Sequence, residues 1–217
     1  MKQALAPFLL EIESLGIEVQ NYEVNSLPRF WDHYQHFTGS PPYGPYSINY
    51  VLGGRIIPRS TVQDGAPGLT DVLEKIIKTP GFPKVTITGI SNNFTHSRVG
   101  NKADSTSVLP AWRDSLYFTH VDFDVAPGSS TEDLQRLQAQ MNIFEGWLKE
   151  ITPGSGGYMN EGTFDNPEWK QDYFGENYDR LMEIKSLYDP DRVLYARAMV
   201  GSDLFTVKAD GRVCATG

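Results

Sequence analysis

Two periods of apolar residues run through the chain. Leu5, Phe8, Leu9, Ile12 and Leu15 stand at helical spacing, and Gly16 behind them is a usual C-terminal stop. Ile17 to Gln20 alternates as a strand does. Ser26-Leu27-Pro28 ahead of Phe30, Trp31, Tyr34 and Phe37 predicts the N-cap and first turn of a second short helix, stopped by Gly39 and the Pro41-Pro42-Tyr43-Gly44-Pro45 cluster. Ser47 to Ile57 reads as a strand, and its Gly53-Gly54 pair marks a bulge or a close backbone approach. Gly68-Leu69-Thr70-Asp71 opens a helix with Leu69, Val72, Leu73, Ile76 and Ile77 on one side, and Val85 to Ile90 is a β-branched strand. Ser91 to Ser107 is polar and without period, a loop long enough to imply a function or a partner surface.

Ser115 to Val125 alternates strictly. Leu116, Phe118, His120, Asp122 and Asp124 share its more polar side, while Tyr117, Thr119, Val121, Phe123 and Val125 share the other, which is expected to face the core. Ser130 caps the longest predicted helix, with Leu134, Leu137, Met141, Phe144, Leu148 and Ile151 in one stripe up to Pro153-Gly154. A further helix holds Tyr178, Leu181, Met182, Lys185 and Tyr188 and ends at Asp189-Pro190, and Asp210-Gly211 predicts a turn between short β segments. No Gly-rich phosphate turn joins a strand to a helix, so a nucleotide-type parallel fold is not supported. The expected fold is α+β, a mixed or antiparallel sheet with helices packed on one face, in one domain spanning 1–217.

The 217 residues carry 19 Lys+Arg against 27 Asp+Glu, a net charge of −8, and no basic stripe, which argues against a nucleic-acid partner. No apolar run approaches the ~18 residues of a membrane span, and Glu11 and Glu13 come too early for a signal peptide, so a soluble chain is expected. The lone Cys214 excludes an internal disulfide and a Cys-rich zinc site. His33 and His36 stand three apart but find no third ligand at a diagnostic spacing, so no metal site is expected. Asp122 and Asp124, about 7 Å apart by strand rise, read as a solvated edge. Arg55 and Arg59 can bind an anion or pair internally, and internal pairing is expected.

The C-terminal third carries a denser pattern. Tyr158-Met159-Asn160-Glu161, Pro167-Glu168-Trp169, Tyr173-Phe174-Gly175, Asn177-Tyr178-Asp179-Arg180-Leu181 and Lys185-Ser186-Leu187-Tyr188-Asp189-Pro190 follow one another in an order that resembles the berberine-bridge segment of the FAD-linked oxidases. Gly54-Arg55-Ile56-Ile57-Pro58-Arg59-Ser60 and Leu109-Pro110-Ala111-Trp112-Arg113-Asp114 resemble substrate-domain segments of the fungal branch, so the likeness runs from about Gly53 to Val213. It implies a substrate domain that covers the ring of an FAD held by a separate FAD-binding domain, which this sequence lacks. It also implies oxidation of a small organic metabolite, with hydride passing to flavin N5 and O2 as reoxidant. Tyr158 and Asn160 are thereby implied near the flavin, and Asn177, Tyr178 and Arg180 are implied to fix the last helix. A side chain able to take a substrate proton is needed, and His120, Tyr117 and Tyr158 are the candidates. Strand alternation sets Tyr117 and His120 on opposite sides. Such a domain should expose an apolar patch around Tyr158, whereas a non-catalytic ligand- or partner-binding module of the same fold should not.

Overall fold

The computed structural model describes residues 2–20, 22–39, 49–63, 67–102 and 105–216, which form two compact units, Met1–Ile48 and Asn49–Gly217. In the first, α1 (Lys2–Ser14) ends where Gly16 takes a φ of +72° and Ile17 N–H returns to the Ile12 carbonyl at 3.1 Å. Helix α2 (Phe30–Phe37) starts from Arg29 rather than Ser26, because Arg29 forks onto Asp32 at 2.9 and 2.6 Å and anchors the first turn. Ile17 to Gln20 forms no strand, since the described residues of this unit offer it no partner strand. The Pro41–Pro45 cluster, Ser47 and Ile48 lie outside the described residues.

The second unit runs β1 (Tyr50–Pro58), α3 (Arg59–Gln63), α4 (Pro67–Ile77), β2 (Val85–Ser91), α5 (His96–Val99), β3 (Ser115–Asp124), α6 (Thr131–Glu150), α7 (Tyr178–Tyr188), β4 (Phe205–Val207) and β5 (Val213–Ala215). A 3-10 turn, Pro110–Arg113, leads into β3, and a π turn, Lys170–Phe174, precedes α7. The main sheet is antiparallel with β3 between β1 and β2, and β4 and β5 form a separate hairpin around Gly211. The fold is therefore α+β with helices on one sheet face. Val51, Val121 and Phe123 on that face pack against Leu137, Met141, Phe144 and Leu148 of α6 and Ile76 of α4. Ile77 turns outward, so the α4 stripe is one residue narrower than its spacing implies. Ser130 caps α6 by accepting from Asp133 N–H at 3.1 Å.

Residues opposite one another in the ladder share a face, so Arg55, Tyr117 and Thr119 lie on the helix side, while Gly54, Ile56, Phe118, His120 and Asp122 lie on the other. The Gly53-Gly54 pair is a close approach on both sides. A Cβ on Gly53 would stand 2.6 Å from Met141 Sδ, and one on Gly54 would stand 2.3 Å from the Thr119 carbonyl and 2.6 Å from the Phe118 ring. The ladder does shift, but further along, between Ile57 and Pro58.

A buried polar network ties this edge to the C-terminal segment. Arg55 Nη1 stands 3.2 Å from Asp172 in the π turn, and Arg55 Nε donates to Thr152 at 2.9 Å, so internal pairing is its use. Lys149 of α6 reaches Asp172 at 3.1 Å, and Asn166 donates to it at 2.9 Å. Burial would raise Asp172, but the Asn166 amide, Arg55 and Lys149 outweigh it and hold the carboxyl below its ordinary range. Glu145, one turn before Lys149, accepts N–H bonds from Gly54 at 2.9 Å and Thr163 at 3.4 Å. Burial dominates there and pushes its pKa from 4.5 to about 7.

Two measurements follow. Gly54→Ala should cost about 3 kcal/mol in urea unfolding and Gly53→Ala about 1, because a backbone carbonyl cannot step aside as the tip of Met141 can. For Glu145, the unfolded carboxyl titrates near 4.5 and the folded one near 7, so the folded state holds the extra proton between them and stability falls as pH rises through that window. The full linkage is up to about 3 kcal/mol, trimmed by the side chain's partial opening to solvent. Glu145→Gln should match the parent at pH 4 and exceed it in unfolding midpoint at pH 8.

Candidate functional site

The site is built on the sheet face away from α4 and α6. Ser155, Gly156 and Gly157 run along the outer edge of β1: Ile56 N–H donates to Gly156 O at 2.8 Å, Ser155 Oγ to Ile56 O at 2.7 Å, and Gly157 N–H to Asp172 O at 2.8 Å. The glycines make this approach possible, since a Cβ on Gly156 would stand 2.4 Å from both the Asp172 carbonyl and Leu109. The Gly-rich turn thus spends its closeness on the protein's own backbone. Its effect is to deliver Tyr158 over Phe118.

Tyr158, Phe118 and Trp112 form an aromatic corner, with ring centroids 5.7 to 6.0 Å apart. Tyr158 meets both partners edge-on, and Phe94 closes on Trp112 at 5.6 Å. Trp112 and Arg113 come from the 3-10 turn that Pro110 starts, and Ser115 Oγ donates to the Trp112 carbonyl at 2.8 Å to fix it before β3. These residues, with Ile90, Val108, Leu109, Met159, Asn160 and Glu161 among others, enclose a cleft of about 620 Å³. That volume lies in the range of small-molecule sites. Ile90, Phe94 and Val108 are exposed along it, so the surface around Tyr158 is open and apolar.

The polar residues of the cleft include Asn92, Arg113, Asn160 and Glu161. Asn160 Nδ2 donates to the Tyr158 hydroxyl at 2.8 Å, which leaves the phenol proton and the Asn160 carbonyl oxygen free for a ligand. Glu161 has one carboxyl oxygen buried without a partner. The structure therefore brings Tyr158 and Asn160 together, as their Tyr-x-Asn spacing implies.

His120 and Tyr117 stand elsewhere. His120 lies two residues beyond Phe118 on the same face but outside the cleft walls, and its Nε2 is buried with no hydrogen-bond partner among the described residues. Tyr117 is on the helix side, where burial pushes its phenol up. Asp122 is no solvated edge: it is 7 % exposed, burial raises its carboxyl, and His120 only partly opposes this. Asp124 stays exposed because it ends the strand. In α2, His33 and His36 both pack on Phe37, at 4.8 and 4.6 Å, and His36 Nε2 also meets Glu23 at 2.8 Å. Tyr178 and Asn177 anchor α7, the first through Asp203 at 2.7 Å and the second through the Val108 carbonyl at 3.0 Å. Arg180 pairs with Glu183 on the surface at 2.6 Å.

The donor set fits one planar ring system. An aromatic corner, a free amide oxygen and a free phenol proton suit the edge and face of an isoalloxazine.

The family described as berberine and berberine like matches residues 157–200. FAD-linked oxidoreductase ZEB1 of Gibberella zeae is 31% identical over 99% of the chain, and FAD-linked oxidoreductase patO of Aspergillus clavatus is 32% identical over 98%; in each the chain spans 36% of the relative's length. The crystal structure of the VAO-type flavoprotein MtVAO615 from Myceliophthora thermophila superposes with a TM-score of 0.79 at 28% identity, covering 99% of this chain and 38% of that one. A berberine bridge enzyme variant shares the fold alone, at TM-score 0.61 and 14% identity. Residues 157–200 therefore carry the berberine and berberine like segment, and the chain as a whole is similar to one part of fungal FAD-linked oxidoreductases and has the fold of the matching part of a VAO-type flavoprotein.

Proposed function

We propose that the chain is the substrate-covering part of an FAD-linked oxidase of a small organic metabolite, completed by an FAD-binding part in a longer parent chain. The observation that carries this reading is the open aromatic cleft with Asn160 bonded to Tyr158 inside it. When bound, the flavin supplies the acceptor for a substrate hydride and hands the electron pair to dioxygen. The residues of this chain bind, orient and move a proton. Trp112, Phe118 and Tyr158 exclude water from the reacting face. The Asn160 amide fixes the Tyr158 hydroxyl, and Asn160 Oδ1 is left to accept from the ring edge. Tyr158 is the group best placed to exchange a proton with a substrate in the cleft; His120 faces the same side further along, and Tyr117 is walled off by the sheet.

Riboflavin, which carries the ring without the phosphates, tests the ring-binding claim. Its fluorescence should be quenched on titration with the chain, and Asn160→Ala should weaken the binding about fivefold, the worth of one net hydrogen bond. No quenching, or quenching untouched by both Asn160→Ala and Trp112→Ala, would sink the reading in favour of a non-catalytic module. In an enzyme that contains this chain, Tyr158→Phe should lower turnover by about 10² or more with flavin content retained. The same loss in His120→Gln, with Tyr158→Phe active, would move the proton-handling role to His120.

A further inference from the structure

We infer that the ligand of the aromatic cleft carries a carboxylate, and that Arg113 receives it; the inference rests on the cleft being the substrate site. Arg113 is 8 % exposed, yet its one hydrogen bond is from Nη1 to the Phe94 carbonyl at 3.1 Å, and no acidic partner stands beside it among the described residues. A mostly buried arginine of this kind has hydrogen-bonding capacity and a charge that no side chain of the described residues engages. Arg55, equally buried at 4 %, shows how this fold treats a structural arginine: Asp172 and Thr152 both engage it.

Position separates the two further. Arg113 lines the aromatic cleft and also a cavity of about 360 Å³, so it is shared between the two. The second cavity holds Arg59, which is half-buried and forms no ion pair among the described residues, along with Ser60, Thr95 and Ser155. Its wall has one carboxylate, the exposed Asp114, against two guanidinium groups. In a chain of net charge −8 this is a local reversal of sign. Glu161, the acidic group of the aromatic cleft, makes no ion pair with Arg113 and so does not neutralise it. A planar guanidinium fork at the end of an apolar aromatic slot suits a carboxylate on an aromatic or unsaturated body.

Three probes of one shape test this: 3-phenylpropionate, its primary amide and 3-phenylpropan-1-ol, with dissociation constants from ligand-observed NMR titration of the chain. The acid should bind at least about tenfold tighter than the amide or the alcohol, as charge-assisted bonds outweigh neutral ones. Arg113→Gln should bring that ratio near one with the amide's affinity unchanged. Arg113→Lys, which keeps the charge and the fold of the turn, should lower the ratio severalfold and decides the matter if Arg113→Gln does not fold. Equal affinities for all three probes in the parent chain would overturn the carboxylate inference while leaving the cleft as a binding site. A preference for the acid that survives both substitutions would overturn the assignment to Arg113. Binding of none of the three would overturn both this inference and the cleft as the substrate site.

Discussion

The buried ion pair between Arg55 and Asp172 is the constraint on which the arrangement of the second unit turns. Arg55 sits on the edge strand and Asp172 in a π turn more than a hundred residues later, so the pair closes a long loop for which chain entropy offers nothing. Such a pair gives little net stability when intact, but loss of either partner would strand a charge in the interior at a cost of about 3–5 kcal/mol. Its main consequence is positional. With Asp172 held, its carbonyl takes the Gly157 N–H, Gly156 and Ser155 dress the edge of β1, and Tyr158 has one place to go, over Phe118.

The two faces of the sheet then diverge in chemistry. One is closed by α4 and α6 and holds the aliphatic and aromatic core. The other keeps Phe118 beneath the loop that carries Tyr158 and Asn160, and the cleft opens there, with His120 further along the same face. Gly53 and Gly54 serve both faces at once, admitting Met141 on one side and the Phe118 ring on the other.

Where local rules govern, the sequence was readable. The Ser130 cap of α6 with its stripe from Leu137 to Leu148, the strict alternation of β3 and the Asp210-Gly211 hairpin all follow from period and turn chemistry, while Leu134 at the start of that stripe is exposed. The Gly-rich turn before Tyr158 was legible as a close backbone approach, and it is one, to Asp172 and Leu109. What local pattern missed was set by partners far along the chain. The π turn exists because Asp172 and Tyr173 are drawn inward, to Arg55 and to the Thr163 carbonyl. Asp122 alternates like a surface residue yet is buried, and Ile17 to Gln20 alternates like a strand yet lacks a neighbour to pair with. Glu145 gives no sign in the sequence of its role at the Gly54 edge beyond a carboxylate set beside an apolar stripe.

The interior charges show why the polar groups of the site are informative. Asp172 is held ionised by an arginine, a lysine and an amide, whereas at Glu145 burial outweighs two backbone N–H donors and the pull of Arg55 and pushes it toward its neutral form. The fold thus has two ways of settling a buried charge: surround it with counter-charge, or let it lose the charge. An aspartate or glutamate can use either route. An arginine can use only the first, because it does not give up its proton at any pH a protein meets. Arg55 has taken that route, and Arg113, at the cleft wall, has not completed it within the described chain. The unfinished half of that balance faces the cavities, which is where a group of opposite charge has room to enter.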